Sequence, residues 1–152
     1  MVDLESMTTL HDGVTLAALK HRISTLRADA RPRWGRMSVD QMLRHVNEAM
    51  RMATGELPTA RKKFPIPTAV VRLVMLNLPF PRGAATAPEL VARERYDFEV
   101  ERARCLSLLD AVTARPLGGP WPVHPLGGQM SGKQWSRLGV KHLDHHLRQF
   151  GV

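Results

Sequence analysis

Four stretches of this chain repeat apolar residues at intervals of three and four, and none alternates them convincingly as a strand would. That periodicity predicts an all-α fold. The first stretch runs from about Asp12 to Ala28, with Leu16, Leu19, Ile23 and Leu26 on one face. The second opens with Ser38-Val39-Asp40-Gln41, a capping box in which Ser38 and Gln41 each satisfy a free backbone N–H, and ends near Gly55. The third starts at about Asp97 and stops before Pro116, aligning Phe98, Arg102, Cys105, Leu109 and Val112. The fourth opens with a second capping box, Ser131-Gly132-Lys133-Gln134, and runs to the C-terminus. Between the second and third helices lies a Pro-rich connection, Glu56 to Tyr96, with a short apolar helix expected from Thr68 to Asn77. A long crossover of this kind predicts a four-helix bundle in which the second and third helices need not run antiparallel.

The 152 residues suit a single domain, 1–152, with an ordinary core. Its one cysteine, Cys105, excludes an internal disulfide framework, so a reducing cytoplasm is the expected compartment. The N-terminus lacks the basic and apolar regions of a signal peptide, and no apolar run is long enough to span a bilayer. Twenty-two Lys and Arg against 14 Asp and Glu give a formal net charge of +8. No nucleic-acid module accompanies that charge, and eight aromatic residues form no stacking platform, so neither nucleic acid nor membrane is an expected partner.

Chemistry concentrates in the histidines, of which there are seven. His142 and His146 form an H-x-x-x-H pair on the last helix, a spacing that puts two imidazoles on one face. On a helical wheel they fall in the same sector as Trp135, Leu138, Gly139 and Phe150, at the centre of the apolar face. Buried imidazoles need a partner for each ring nitrogen. A metal ion satisfies two such rings together, and carbonyl or carboxylate partners are the other solution. His45, at the edge of the second helix's apolar face, is the best candidate for a third ligand. Glu48, three residues on, is a candidate fourth ligand or catalytic base. His145 flanks the pair, while His11, His21 and His124 read as ordinary surface or structural residues. Phosphate-binding glycine loops, a nucleophile elbow and H-E-x-x-H are all missing, and Cys105 reads as an inert core thiol.

Three stretches carry a resemblance: Trp34 to His45, His124-Pro125-Leu126-Gly127 with Ser131 to Trp135, and Lys141 to Phe150. From about Val14 to Val152 the chain resembles a bacterial domain-of-unknown-function subfamily of the DinB-like superfamily of metalloenzymes. The resemblance implies a four-helix bundle with up-down-down-up connectivity. It also implies a divalent metal on three histidines, which fall here on His45, His142 and His146. Many members end the metal helix with His-Arg-Gly-Gln, where this chain has His146-Leu147-Arg148-Gln149, so Gln149 is kept. Gln149, Trp135 and His145 are candidates for supporting the ligands or lining the pocket. Similar proteins of known activity are thiol S-transferases or thiol-dependent isomerases.

Three functions are therefore expected in turn. The first is a metal-dependent transferase joining a low-molecular-weight thiol to a small electrophile. The second is a small hydrolase using metal-activated water, with Glu48 as base. The third is a non-catalytic bundle that binds a metal or an apolar ligand. Three imidazoles suit zinc, nickel, copper or iron alike. The expected partners are a small-molecule substrate and, in a homodimer, a second copy of the chain.

Overall fold

Short polar side chains set where each long helix begins. In the computed structural model, which describes residues 9–83 and 88–152, α1 spans Gly13–Thr25, α2 Val39–Thr54, α3 Thr68–Asn77, α4 Phe98–Ala114 and α5 Gly132–Gln149. Asp12 Oδ2 accepts from the Thr15 N–H at 2.8 Å, and Asp97 Oδ1 from the Val100 N–H at 2.9 Å. Gln41 Oε1 reaches back to the Ser38 N–H at 3.1 Å, and Gln134 Oε1 to the Ser131 N–H at 3.0 Å. Each bond satisfies a donor that the helix's own ladder leaves free.

Helix ends are set just as locally. Gly55 takes φ +82° after α2, a conformation that side chains resist and glycine adopts freely. α1 stops three residues before the expected Ala28. The Ser24 and Thr25 hydroxyls donate back to the carbonyls of His21 and Arg22, competing with the ladder. Arg102 Nη1 then takes the freed carbonyls of Ser24 and Leu26. A 3-10 turn at Pro88–Leu90, not expected from the sequence, lies against α2. No strand occurs among the described residues, and no helix is long and apolar enough to cross a membrane.

The long helices pack in a ring. α2 lies along α4, α4 touches α1, α1 touches α5, and α5 returns to α2. Ile23, Leu43, Leu109, Leu147 and Cys105 are fully buried between them. Burial pushes the Cys105 thiol up to about 12, with Glu101 adding to the effect, so it is neither ionised nor accessible. Polar links to Glu101 cross the α2–α4 contact: buried Asn47 Nδ2 donates to its carbonyl at 2.9 Å and to its carboxylate at 2.8 Å, and Arg44 Nη1 reaches the carboxylate at 3.4 Å. Leu43→Ala removes three buried carbons at the centre of this packing. It should lower stability by about 2–5 kcal/mol and the melting temperature by about 4–20 °C. Thermal denaturation followed by circular dichroism checks it.

The connection from α2 to α4 matters for the site. Lys141 Nζ on α5 donates to the carbonyls of Met75 and Leu78 at the end of α3. Arg72 Nη1 on α3 donates to the carbonyls of Gly127 and Gln129, at 2.9 and 3.0 Å. The Lys62 N–H donates to the Pro125 carbonyl at 2.8 Å. These tethers bring the connection over one side of the ring, where it walls a cavity of about 720 Å³.

Candidate metal centre

Residues four apart on α5 bring His142 and His146 to the same cavity wall, and His45 reaches them from α2. One ring nitrogen from each of the three lies within 4.8 Å of the others. His45 and His146 are buried, and His142 keeps some accessible surface and lines the cavity. The group can hold a metal ion, and no Asp, Glu or Cys joins it among the described residues.

Outer contacts fix which nitrogen two of the three rings present, those of His45 and His146. His45 Nδ1 lies 2.9 Å from the Leu90 carbonyl. A carbonyl only accepts, so Nδ1 carries the proton and Nε2 is bare. His146 follows through one more link. Gln149 Nε2 donates to the Trp34 carbonyl at 2.8 Å, which orients its amide, so Oε1 accepts from His146 Nδ1 at 2.8 Å. His146 Nε2 is therefore bare as well. Such contacts hold ligating imidazoles in one tautomer and orientation. His45 Nε2 and His142 Nε2 face each other at 2.9 Å, bonded through a proton on His142. Tetrahedral coordination at about 2.0–2.1 Å puts two nitrogens about 3.3 Å apart. For this pair an ion in place of that proton would need a few tenths of an ångström more room, and the His146 nitrogen, within 4.8 Å of both, would complete the set.

Charge is right for the same purpose. Burial lowers the pKa of all three rings, most strongly at His142, where His146 and His45 add like-charge repulsion. His146 falls to about 3. All three are neutral near pH 7, the state that coordination requires.

The other expected residues are placed as follows. Gln149 supports His146, as described. Gly35 lets it do so: φ is +79°, and a side-chain carbon there would come within 2.9 Å of Gln149 Nε2. Trp135 lines the cavity with its ring 5.0 Å from that of His124, and its Nε1 donates to the Pro122 carbonyl. His145 also lines the cavity, packed edge-on against Trp34 and Phe80.

Glu48 is not brought to the histidines. Arg51 Nη1 holds both its oxygens at 3.0 and 3.1 Å, Arg44 approaches from the other side at 3.3 Å, and Glu48 does not line the cavity. Arginines four residues before and three after a glutamate on one helix are a readable signal for this outcome. His11 bonds to Ser136 and the Arg115 carbonyl, and His21 is exposed. His124, read from the sequence as a surface or structural residue in a loop, is buried and part of the cavity wall.

Gln149→Ala frees the His146 ring to rotate and should weaken zinc binding by about 10–100-fold. Competition with a chromophoric chelator measures it, and unchanged affinity would show that Gln149 gives the ligand no support.

The sequence profile of the DinB superfamily matches residues 13–150 of the chain. No curated protein and no solved structure matches.

Proposed function

Because the chain belongs to the DinB superfamily, we propose that its cavity houses a metal-dependent enzyme of the thiol-transfer type acting on a small apolar electrophile. One observation carries this reading: three neutral imidazoles converge on one point of a largely apolar cavity. Three protein ligands leave a coordination position open, as catalytic sites need. The ring order of the long helices and the long connection after α2 support a four-helix bundle with a crossover as the scaffold.

His45, His142 and His146 are the residues that would hold the ion. A divalent cation there supplies a Lewis-acid position at which a thiol is carried as its thiolate. The chain's own residues do the rest. Leu90 and Gln149 keep His45 and His146 aimed inward. Arg36, the one charged residue in the cavity wall among the described residues, favours an anionic cosubstrate. Val46, Leu138 and Phe80 give the remainder of the wall an apolar surface.

The hydrolase reading loses its base, since Glu48 is paired with arginines away from the cavity. A non-catalytic binder of apolar ligands is favoured by a different observation: no carboxylate or lysine lines the cavity among the described residues. Elemental analysis of the purified protein, followed by glutathione consumption against a panel of apolar electrophiles, decides between them. Metal-dependent thiol loss supports transfer. Tight binding of apolar compounds with no thiol loss at saturating zinc, nickel or iron replaces it with the second reading.

A further inference from the structure

The loop between α4 and α5 doubles back at His124 and Gly128, which exchange backbone hydrogen bonds of 2.8 and 3.0 Å. Inside this turn the backbone N–H groups of Leu126 and Gly127 both point at His124 Nδ1, at 3.1 and 3.0 Å. A backbone N–H only donates, so Nδ1 is an acceptor and carries no proton. The single proton of the neutral ring is therefore on Nε2. This tautomer follows from the bonding itself. Protonating Nδ1 would break both bonds and bury a charge. Burial, with the nearby positive charge of Arg61, holds the pKa down to about 4.

His124 is only 5% exposed, rests against Trp135, and lines the cavity. Nε2 is its one polar atom with no hydrogen-bond partner among the described residues. The loop that carries it is braced from the connection by Arg72 on Gly127 and Lys62 on Pro125. A donor fixed in tautomer at the wall of an apolar cavity, with no protein acceptor among the described residues, is bonded only by what enters that cavity.

We propose that His124 Nε2–H is the recognition donor of the cavity and binds the oxygen of a carbonyl group on an otherwise apolar molecule. A carbonyl suits it better than a carboxylate. The ring stays neutral, and a full negative charge facing a neutral donor among apolar side chains would be poorly compensated. A neutral imidazole can also polarise a carbonyl, which would mark the ligand's electrophilic end. The inference rests on the reading above only in taking this cavity as the ligand site.

The test compares 2-acetylnaphthalene with 2-ethylnaphthalene, binding to the full chain with zinc and after chelation. His124→Asn is the informative variant. Its Oδ1 takes the place of Nδ1 as acceptor for the two backbone N–H groups, as in an Asx turn, while the Nε2–H is gone. The ketone-to-hydrocarbon affinity ratio should fall about tenfold in H124N, with and without zinc. The carbonyl stretch of the bound ketone should lie lower in wild type than in the variant. If H124N does not fold, nitrogen-15 spectra of wild type decide instead: an Nε2–H signal for His124 that shifts on adding the ketone supports the proposal. An Nδ1–H tautomer, an unchanged ratio in H124N, or no binding of either naphthalene overturns it. A ratio that collapses on removing zinc but not in H124N puts the carbonyl on the ion; this proposal then fails while the metal reading survives. A His124-dependent ratio in a protein that binds no zinc upholds this proposal and removes the metal reading.

Discussion

Alanine at His45, His142 or His146 should leave the purified protein without stoichiometric metal. Each ring supplies one of three nitrogens gathered within 4.8 Å, and no acidic or thiol group among the described residues stands by to replace it. Two imidazoles alone make a weak site. The loss should therefore exceed the about 10–100-fold that follows when a supporting contact is removed. Elemental analysis and chelator competition read the result. His21→Ala, altered at an exposed position of α1, serves as the control that keeps its metal. Full occupancy in His142→Ala would remove the assignment. The helices themselves should survive the substitutions, because their long apolar faces close a ring that needs no ion.

Acid should unfold the chelated protein well above the pH at which carboxylates alone would do so. Burial depresses His146 to about 3 and His124 to about 4, against 6.5 in an unfolded chain. Between those limits the unfolded state binds protons that the folded state refuses. Stability is thus complete above about pH 6.5 and falls as pH drops below it, until each folded pKa is reached. The slope is about 1.4 kcal/mol per pH unit for each such group. By pH 4.5 these two histidines together remove about 5 kcal/mol, and His45 and His142, also lowered, act in the same sense. A total stability of about 5–15 kcal/mol leaves little margin. Asp40 adds a later loss. Burial raises its pKa, but hydrogen bonds from Arg95 and the Tyr96 N–H outweigh that and hold it at about 2. Its contribution is present above 3.8 and fades below. Helical circular dichroism should therefore collapse between about pH 5 and 4. Saturating zinc should move the midpoint lower, because the ion binds only the folded form, and should steepen it. Unchanged ellipticity down to pH 3 in chelator would contradict this expectation.

What can be read from the sequence is local. Asp12, Ser38, Asp97 and Ser131 announce their helices through bonds that span three residues. The pairing of His142 with His146 is fixed by one helix's pitch. His45 is harder, since its place depends on how α2 meets α5, and only its position at the edge of an apolar face points to it. Glu48 shares that edge but sits a turn along, where Arg44 and Arg51 claim it. The role of His124 escapes periodicity because its partners are backbone amides of its own turn. A histidine placed as an Asn would be before a Gly-Gly turn is the available signal. The tethers of the long connection are beyond reach. They join residues more than fifty positions apart, and no periodicity encodes them.

Those tethers separate two kinds of opening. Leu76 is the only buried residue of α3, whereas Val70, Leu73 and Val74 are exposed. The covering is thus fastened by a few hydrogen bonds to carbonyls, while the ring beneath is fastened by its core. Segments held that way open locally at a small fraction of the global free energy. Amide hydrogens of α3 should exchange with solvent through such local openings, and those of α2 and α4 only when the whole ring comes apart. Admission of a ligand then becomes an equilibrium of its own. It is also coupled to the histidines, because the same connection supplies the Leu90 carbonyl to His45, the Phe80 ring to His145 and the Arg72 and Lys62 tethers to the loop of His124.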